Sequence, residues 1–164
     1  MRRRQSNIAI VAFLITVAAT DGSAQQRTQP TVTSGTGLVT VVSATPFDST
    51  LARLERAMAA KSLTVAAKID HAAAAKRAGH SLRPTTLVIG GNPDAGTPLM
   101  QVDRTMAVEL PLRFLVWEGE DGKARVSYDP IKAIAARHHL TGRDELLNRM
   151  TAAIEAIVKS ATGP

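Results

Sequence analysis

Residues 110–117 put Leu110, Leu112, Phe114 and Val116 on one parity, and the chain resumes after Glu118-Gly119-Glu120-Asp121-Gly122 as Ala124-Arg125-Val126-Ser127-Tyr128. Alternation with a period of two on both sides of a glycine-containing acidic turn predicts an antiparallel hairpin. A lone hairpin is marginal in water, so further strands or helices must bury its apolar parity. Leu115 and Trp117 fall on the opposite parity. The second face must therefore also be at least partly covered, by a helix or by a second copy of the chain. Pro111 has no amide to give a ladder and predicts an edge position or a bulge.

The remaining elements follow from periodicity and from start and stop residues. Residues 38–44 are rich in β-branched side chains between Gly37 and Pro46 and read as a strand. Thr45 is the expected cap of the next helix, Pro46 its first residue, and Phe47, Leu51, Leu54 and Met58 its apolar stripe. Leu63, Val65, Ala67 and Ile69 alternate as a half-buried strand would. Asp70 then caps an alanine-rich helix stopped by Gly79, and 84–91 form a short apolar strand. Thr97-Pro98 opens a short helix, Asp129-Pro130 opens another that runs to His138, and Thr141 caps a last helix with Leu147, Met150, Ile154, Ile157 and Ala161 inward. This order favours an α+β two-layer sandwich, with helices on one face of a mainly antiparallel sheet, over a doubly wound parallel fold.

With 164 residues, 45% hydrophobic and 21% charged, the chain can build one core and is too short for two full-sized domains. The absence of cysteine excludes disulfides, thiolate metal sites, cysteine nucleophiles and a lipoprotein anchor. Aromatic residues at 3% are too few for a base-stacking platform. Arg2, Arg3 and Arg4, the apolar run 8–19 and the small residues Gly22 and Ala24 have the layout of a secretory signal, 1–24. The run is shorter than the roughly 18 to 20 residues of a membrane span. Cleavage after Ala24, a periplasmic or secreted location and no stable membrane insertion after cleavage are the expectations, with an uncleaved anchor as the alternative. Cleavage removes three of the 20 basic and one of the 14 acidic residues, so the formal charge falls from +6 to +4. No nucleic-acid partner is expected at that charge in an exported chain. Residues 25–37 have little to bury and read as a flexible linker before a single domain, 38–161.

Several short motifs occur together: Ile69-Asp70-His71-Ala72-Ala73, Leu82-Arg83-Pro84-Thr85, the block Gly91-Asn92-Pro93-Asp94-Ala95-Gly96-Thr97-Pro98-Leu99-Met100-Gln101, Leu110-Pro111-Leu112, Asp121-Gly122 and Ser127-Tyr128. In combination, from about residue 37 to about 157, they resemble the DUF302 family, bacterial and archaeal domains of unknown function. The resemblance implies a compact α+β fold with a TATA-binding-protein-like arrangement, commonly a homodimer, and implies no activity. The chain has Gly90 where the family often has an aromatic residue.

Two constellations bear on chemistry. Gly91 and Gly96 bracket a loop between strand and helix, but Thr97-Pro98 stands where a phosphate-cradling loop needs Lys and a hydroxyl, and Asp94 repels phosphate. The bland reading is a turn at Asn92-Pro93, with Gly96 in a backbone angle closed to other residues. A second reading has the loop's free amides rim a ligand pocket. Asp70-His71 could pair acid and base, although helix neighbours diverge by about 100°; helix cap and packing histidine is the simpler reading. His71 and His80 are about 13 Å apart along a helix and cannot share a metal unaided. His138 and His139 suit the negative end of a helix. Arg83, Arg113 and Arg125 could converge on a sheet face to attract an anion.

No catalytic residue, metal site or cofactor is assigned. The expected function is an exported, homodimeric, non-enzymatic binding or interaction module, with Asp70, His71, Asn92, Gly96 and Thr97 lining a site for a small-molecule or protein ligand. The alternatives are an enzyme using Asp70-His71 as acid and base, and a structural homodimer.

Overall fold

The computed structural model describes residues 31–33 and 35–164. The expected signal, 1–24, and the first part of the expected linker lie outside the described residues. The elements in chain order are β1 (Thr31–Thr33), β2 (Val39–Val42), α1 (Phe47–Ala60), β3 (Thr64–Asp70), α2 (His71–Arg77), β4 (Thr85–Gly91), α3 (Pro93–Val102), a short 3-10 helix (Arg104–Val108), β5 (Leu112–Glu118), β6 (Ala124–Tyr128), α4 (Ile131–Arg137) and α5 (Asp144–Thr162). The strands form one sheet in the order β1-β2-β6-β5-β4-β3, and every adjacent pair is antiparallel. This is the expected α+β sandwich. One difference is β1, which lies inside the stretch read as linker and pairs with β2.

Register decides which residues form the core. Val88, Phe114, Tyr128 and Val39 align across four strands, and Thr86, Val116, Val126 and Val41 form the next row on the same face. The two long helices α1 and α5 pack on each other and on this face. Leu54, Met58, Met150, Ile154, Ile157 and Ala161 are buried there, as their helical spacing predicts. On the opposite face lie Ile69, Leu87, Leu115 and Ser127 in one row and Thr85, Trp117, Arg125 and Val42 in the next. Part of the expected cover on this face comes from the sheet itself. The Arg125 guanidinium sits 5.1 Å over the Trp117 ring, and Trp117 Nε1 donates to Ser127 Oγ at 2.8 Å.

Several local expectations need correction. Strand β3 is exposed along all seven residues rather than half-buried, because it forms one edge of the sheet and a bulge between Val65 and Ala67 breaks its alternation. Pro111 marks neither an edge nor a bulge: β5 is a central strand and the proline sits just before it. Thr45 does not cap α1; its hydroxyl bonds those of Ser43 and Thr50, and Pro46 occupies the cap position. Thr141 does not cap the last helix, which starts at Asp144 after Arg143. The Gly90 position is explained by a close approach: a Cβ there would stand 2.7 Å from the Thr64 carbonyl oxygen and 2.5 Å from Met58 Cε. An aromatic side chain would force β3 away from β4.

Candidate functional site

The residues read as one site fall into two groups that the sheet holds apart. Asp70 pairs with Thr86, whereas Gly91, next to Asn92, pairs with Thr64. Six residues of β4 therefore separate the two groups, about 20 Å at roughly 3.3 Å per residue. A single pocket lined by both is not formed. Asp70 is the expected cap: its Oδ1 accepts the Ala73 amide at 2.8 Å, while His71 is exposed at the first position of α2. Gly79, at φ +80°, ends that segment with paired bonds from Gly79 to the Lys76 carbonyl and from His80 to the Ala75 carbonyl.

The second group lies in a helix rather than a loop. Asn92 caps α3 by accepting the Asp94 amide on Oδ1 at 2.9 Å, and its carbonyl accepts the Ala95 and Gly96 amides. Those amides are consumed, so they do not rim a pocket. The helix thus begins five residues before the expected Pro98, which sits inside it and leaves the Asp94 carbonyl without its usual donor. Gly96 is helical and buried, with Leu110 Cδ1 3.4 Å from where a Cβ would stand; close packing, not an unusual backbone angle, is its role. Thr97 is exposed on α3.

Asn92 and Ala95 line a crevice of about 210 Å³ between the end of α1, the start of α3 and the middle of α5. Its floor is Leu63, Leu112, Met150, Ala153, Ile154 and Ile157, and among the described residues the charged ones lining it are Lys61 and Arg149. Local chemistry puts Lys61 and Leu63 there. Helix α1 ends with Ser62 in the left-handed region at φ 58°, its amide bonded to the Ala59 carbonyl and that of Leu63 to the Met58 carbonyl. This reversal turns Leu63 inward while Lys61 stays exposed, and Lys61 has no carboxylate partner among the described residues. Arg149 pairs with Glu145 one turn earlier on α5, and Glu145 is 89% exposed. A neighbouring recess of about 310 Å³ shares Leu146 and Arg149 and adds Asp94, Pro98, Gly142, Arg143 and Glu145. The crevice can bury hydrocarbon and meet an anion; it holds no pair of groups arranged for proton transfer.

A polar cluster that the sequence did not indicate joins the 3-10 helix to the end of α4. His138 Nδ1 lies 2.8 Å from Thr105 Oγ1 and 3.3 Å from Asp103 Oδ2, and its Nε2 lies 3.7 Å from Glu109 Oε1. Glu109 also receives Arg113 at 2.7 Å and Arg137 at 3.2 Å, and Arg137 reaches Asp129 at 2.6 Å. The Thr105 amide and hydroxyl, and then His138, hold the Asp103 carboxyl below its ordinary range. Burial pushes Glu109 up, but Arg137, Arg113 and His138 together bring it below its ordinary value. Every charge in this clasp is answered by another, and among the described residues no three His, Asp or Glu side chains are arranged to hold a metal. Reading His138 as a favourable helix-end charge captured its position after α4 but not its carboxylate partners, which lie about 30 residues earlier in sequence.

The three arginines expected to converge do not. Arg83 pairs with Glu118 at 3.5 Å, Arg113 with Glu109, and Arg125 with Asp121 at 2.8 Å. The Arg125 hydrogen bond and the Lys123 amide draw the Asp121 carboxyl down to about 2.

Among known proteins, the chain is 38% identical over 128 residues to the fluoride-specific ion channel FluC 1 of Brucella suis biovar 1 (strain 1330), covering 77% of this chain and 50% of that one. It is likewise 38% identical over 128 residues to FluC 2 of Brucella melitensis biotype 1, covering 77% and 47%. The chain thus spans about half the length of the curated relatives it matches. No described helix is long and apolar enough to cross a membrane. The crystal structure of an uncharacterized conserved DUF302 protein from Bacillus stearothermophilus superposes with a TM-score of 0.70 at 14% identity, covering 76% of this chain and 98% of that one; it shows a shared fold. The family described as domain of unknown function DUF302 matches residues 39–157, and the chain belongs to that family.

Proposed function

We propose that this chain is an exported, non-enzymatic binding domain that takes a small ligand in the crevice between α1, α3 and α5. The observation that carries this reading is the crevice itself, about 210 Å³ of space over an apolar floor that the chain's own side chains leave open. Apolar concavities with a few polar groups at the rim are where small molecules gain most from leaving water. Capping by Asp70 and the exposure of His71 favour binding over acid–base chemistry at that pair. Export rests on the pattern of residues 1–24. Fluoride conduction belongs to the Brucella relatives, of which this chain matches about half.

Native mass spectrometry of the gently purified chain tests the reading, with Ala153→Trp as the variant that fills the crevice. The expected result is extra mass that disappears on denaturation and is missing from the variant while its melting temperature stays within a few degrees. Extra mass retained by the filled variant, or none in either, contradicts it. A second reading, a homodimer or protein contact, is supported by the apolar residues Leu87, Ile89, Leu115 and Trp117 on the face turned away from α1 and α5, with Ile69 41% exposed beside them. It predicts that Leu115→Arg lowers the mass in sedimentation velocity.

A further inference from the structure

The crevice is selective in its charge as well as its polarity. Its floor offers hydrocarbon from Leu63, Leu112, Met150, Ile154 and Ile157, and no carboxylate among the described residues lines it. Both charged lining residues, Lys61 and Arg149, are cations. Lys61 has no carboxylate partner among the described residues, and the Glu145 partner of Arg149 is 89% exposed. An ion pair that open to water is worth little and is readily exchanged for another anion. The neighbouring recess differs, because Asp94 and Glu145 sit among its arginines.

We infer that the crevice takes a medium-chain aliphatic carboxylate, its tail on the apolar floor and its head between Lys61 and Arg149. This rests on the ligand-binding reading above and specifies its ligand class. The volume of about 210 Å³ sets the tail length. At roughly 30 Å³ for each water-sized group it holds about seven, a tail of about six to eight carbons. A cationic amphiphile meets two like charges, and a neutral one forgoes the cations.

The test is calorimetric titration of the purified chain with butanoate, hexanoate, octanoate and dodecanoate, with octanol and octyltrimethylammonium as the neutral and cationic probes. Affinity rises about fourfold per methylene up to octanoate and then levels off, because further carbons stay in water. Lys61→Met weakens octanoate about two- to fivefold and leaves octanol unchanged. The ammonium compound does not bind. Octanol or octyltrimethylammonium binding as tightly as octanoate overturns the ligand class and leaves the crevice as a ligand site. No binding of any amphiphile, or octanoate binding undiminished in Ala153→Trp, overturns the site together with the class. A concentration-dependent dimer that excludes octanoate assigns the crevice to a second copy and likewise overturns the inference.

Discussion

The crevice and the His138 clasp are both built where chain ends and turns meet, yet they manage charge in opposite ways. In the clasp, Glu109 is faced by Arg113, Arg137 and His138, and Arg137 is shared with Asp129, so each ion has a counterion within the fold. In the crevice, Lys61 and Arg149 line an apolar floor, and the one carboxylate paired with either among the described residues is the exposed Glu145 on Arg149. A group of answered charges holds segments together and has nothing left to offer a ligand. A pair of cations beside an unfilled apolar floor contributes little to the fold and retains its capacity to bind. Stability and binding should therefore separate between the two regions, and substitutions can check whether they do.

The largest effect is expected from Gly90→Ala, whose new Cβ would lie 2.7 Å from the Thr64 carbonyl. Displacing β3 and the adjoining Leu63 should cost about 3 kcal/mol in urea unfolding and abolish octanoate binding, while the clasp stays formed. Next is Glu109→Ala, which leaves Arg113, Arg137 and His138 facing one another; a loss of about 2 kcal/mol with octanoate affinity unchanged is the expected outcome. Equal losses of binding in both variants would erase the distinction.

Acid should act on the clasp before the crevice. Asp103 and Glu109 titrate below the ordinary values of 3.8 and 4.5, so the native state binds fewer protons there than the unfolded chain. Their stabilisation is fully present above those values and is lost as pH falls through the lower native ones. Asp121, drawn to about 2, extends the loss toward that pH. Chemical denaturation at pH 6, 4 and 3 should show decreasing stability, and Glu109→Gln should flatten the decline. Smaller still is Ser62→Gly, which relieves a left-handed serine at φ 58° and should stabilise by about 0.5 to 1 kcal/mol without changing binding. Lys61→Met should leave stability within about 0.5 kcal/mol of the parent, since the ammonium is exposed and has no carboxylate partner among the described residues.

The fold was readable where a local pattern coincided with a tertiary requirement. The stripe Leu147, Met150, Ile154, Ile157 and Ala161 is buried as its spacing implies, and the 110–128 alternation forms the β5–β6 pair. Asp70 and Gly79 work at the ends of α2 as their types suggest. Helix starts were less legible. A threonine before a proline reads as a cap, yet Thr45 spends its hydroxyl on Ser43 and Thr50, and the glycine-containing block after β4 coils into α3 from Asn92 instead of remaining a loop. Strand β3 alternates in sequence but sits at an edge, and no local pattern states which strand will be last. The candidate site was legible only through Asn92. Lys61, Leu63, Arg149 and Ile157 come from distant segments, and only the packing of α5 against α1 makes them neighbours. The clasp is non-local in the same way, since Asp103 and His138 are 35 residues apart.

Amide hydrogen exchange of the full chain with and without octanoate tests the separation of the two regions most directly. Added protection confined to the end of α1, the start of α3 and the middle of α5, with the segments around Asp103, Glu109 and His138 unchanged, is the result this account predicts. Protection centred on those clasp segments or on the outer face of the sheet, or no protection anywhere, would contradict it.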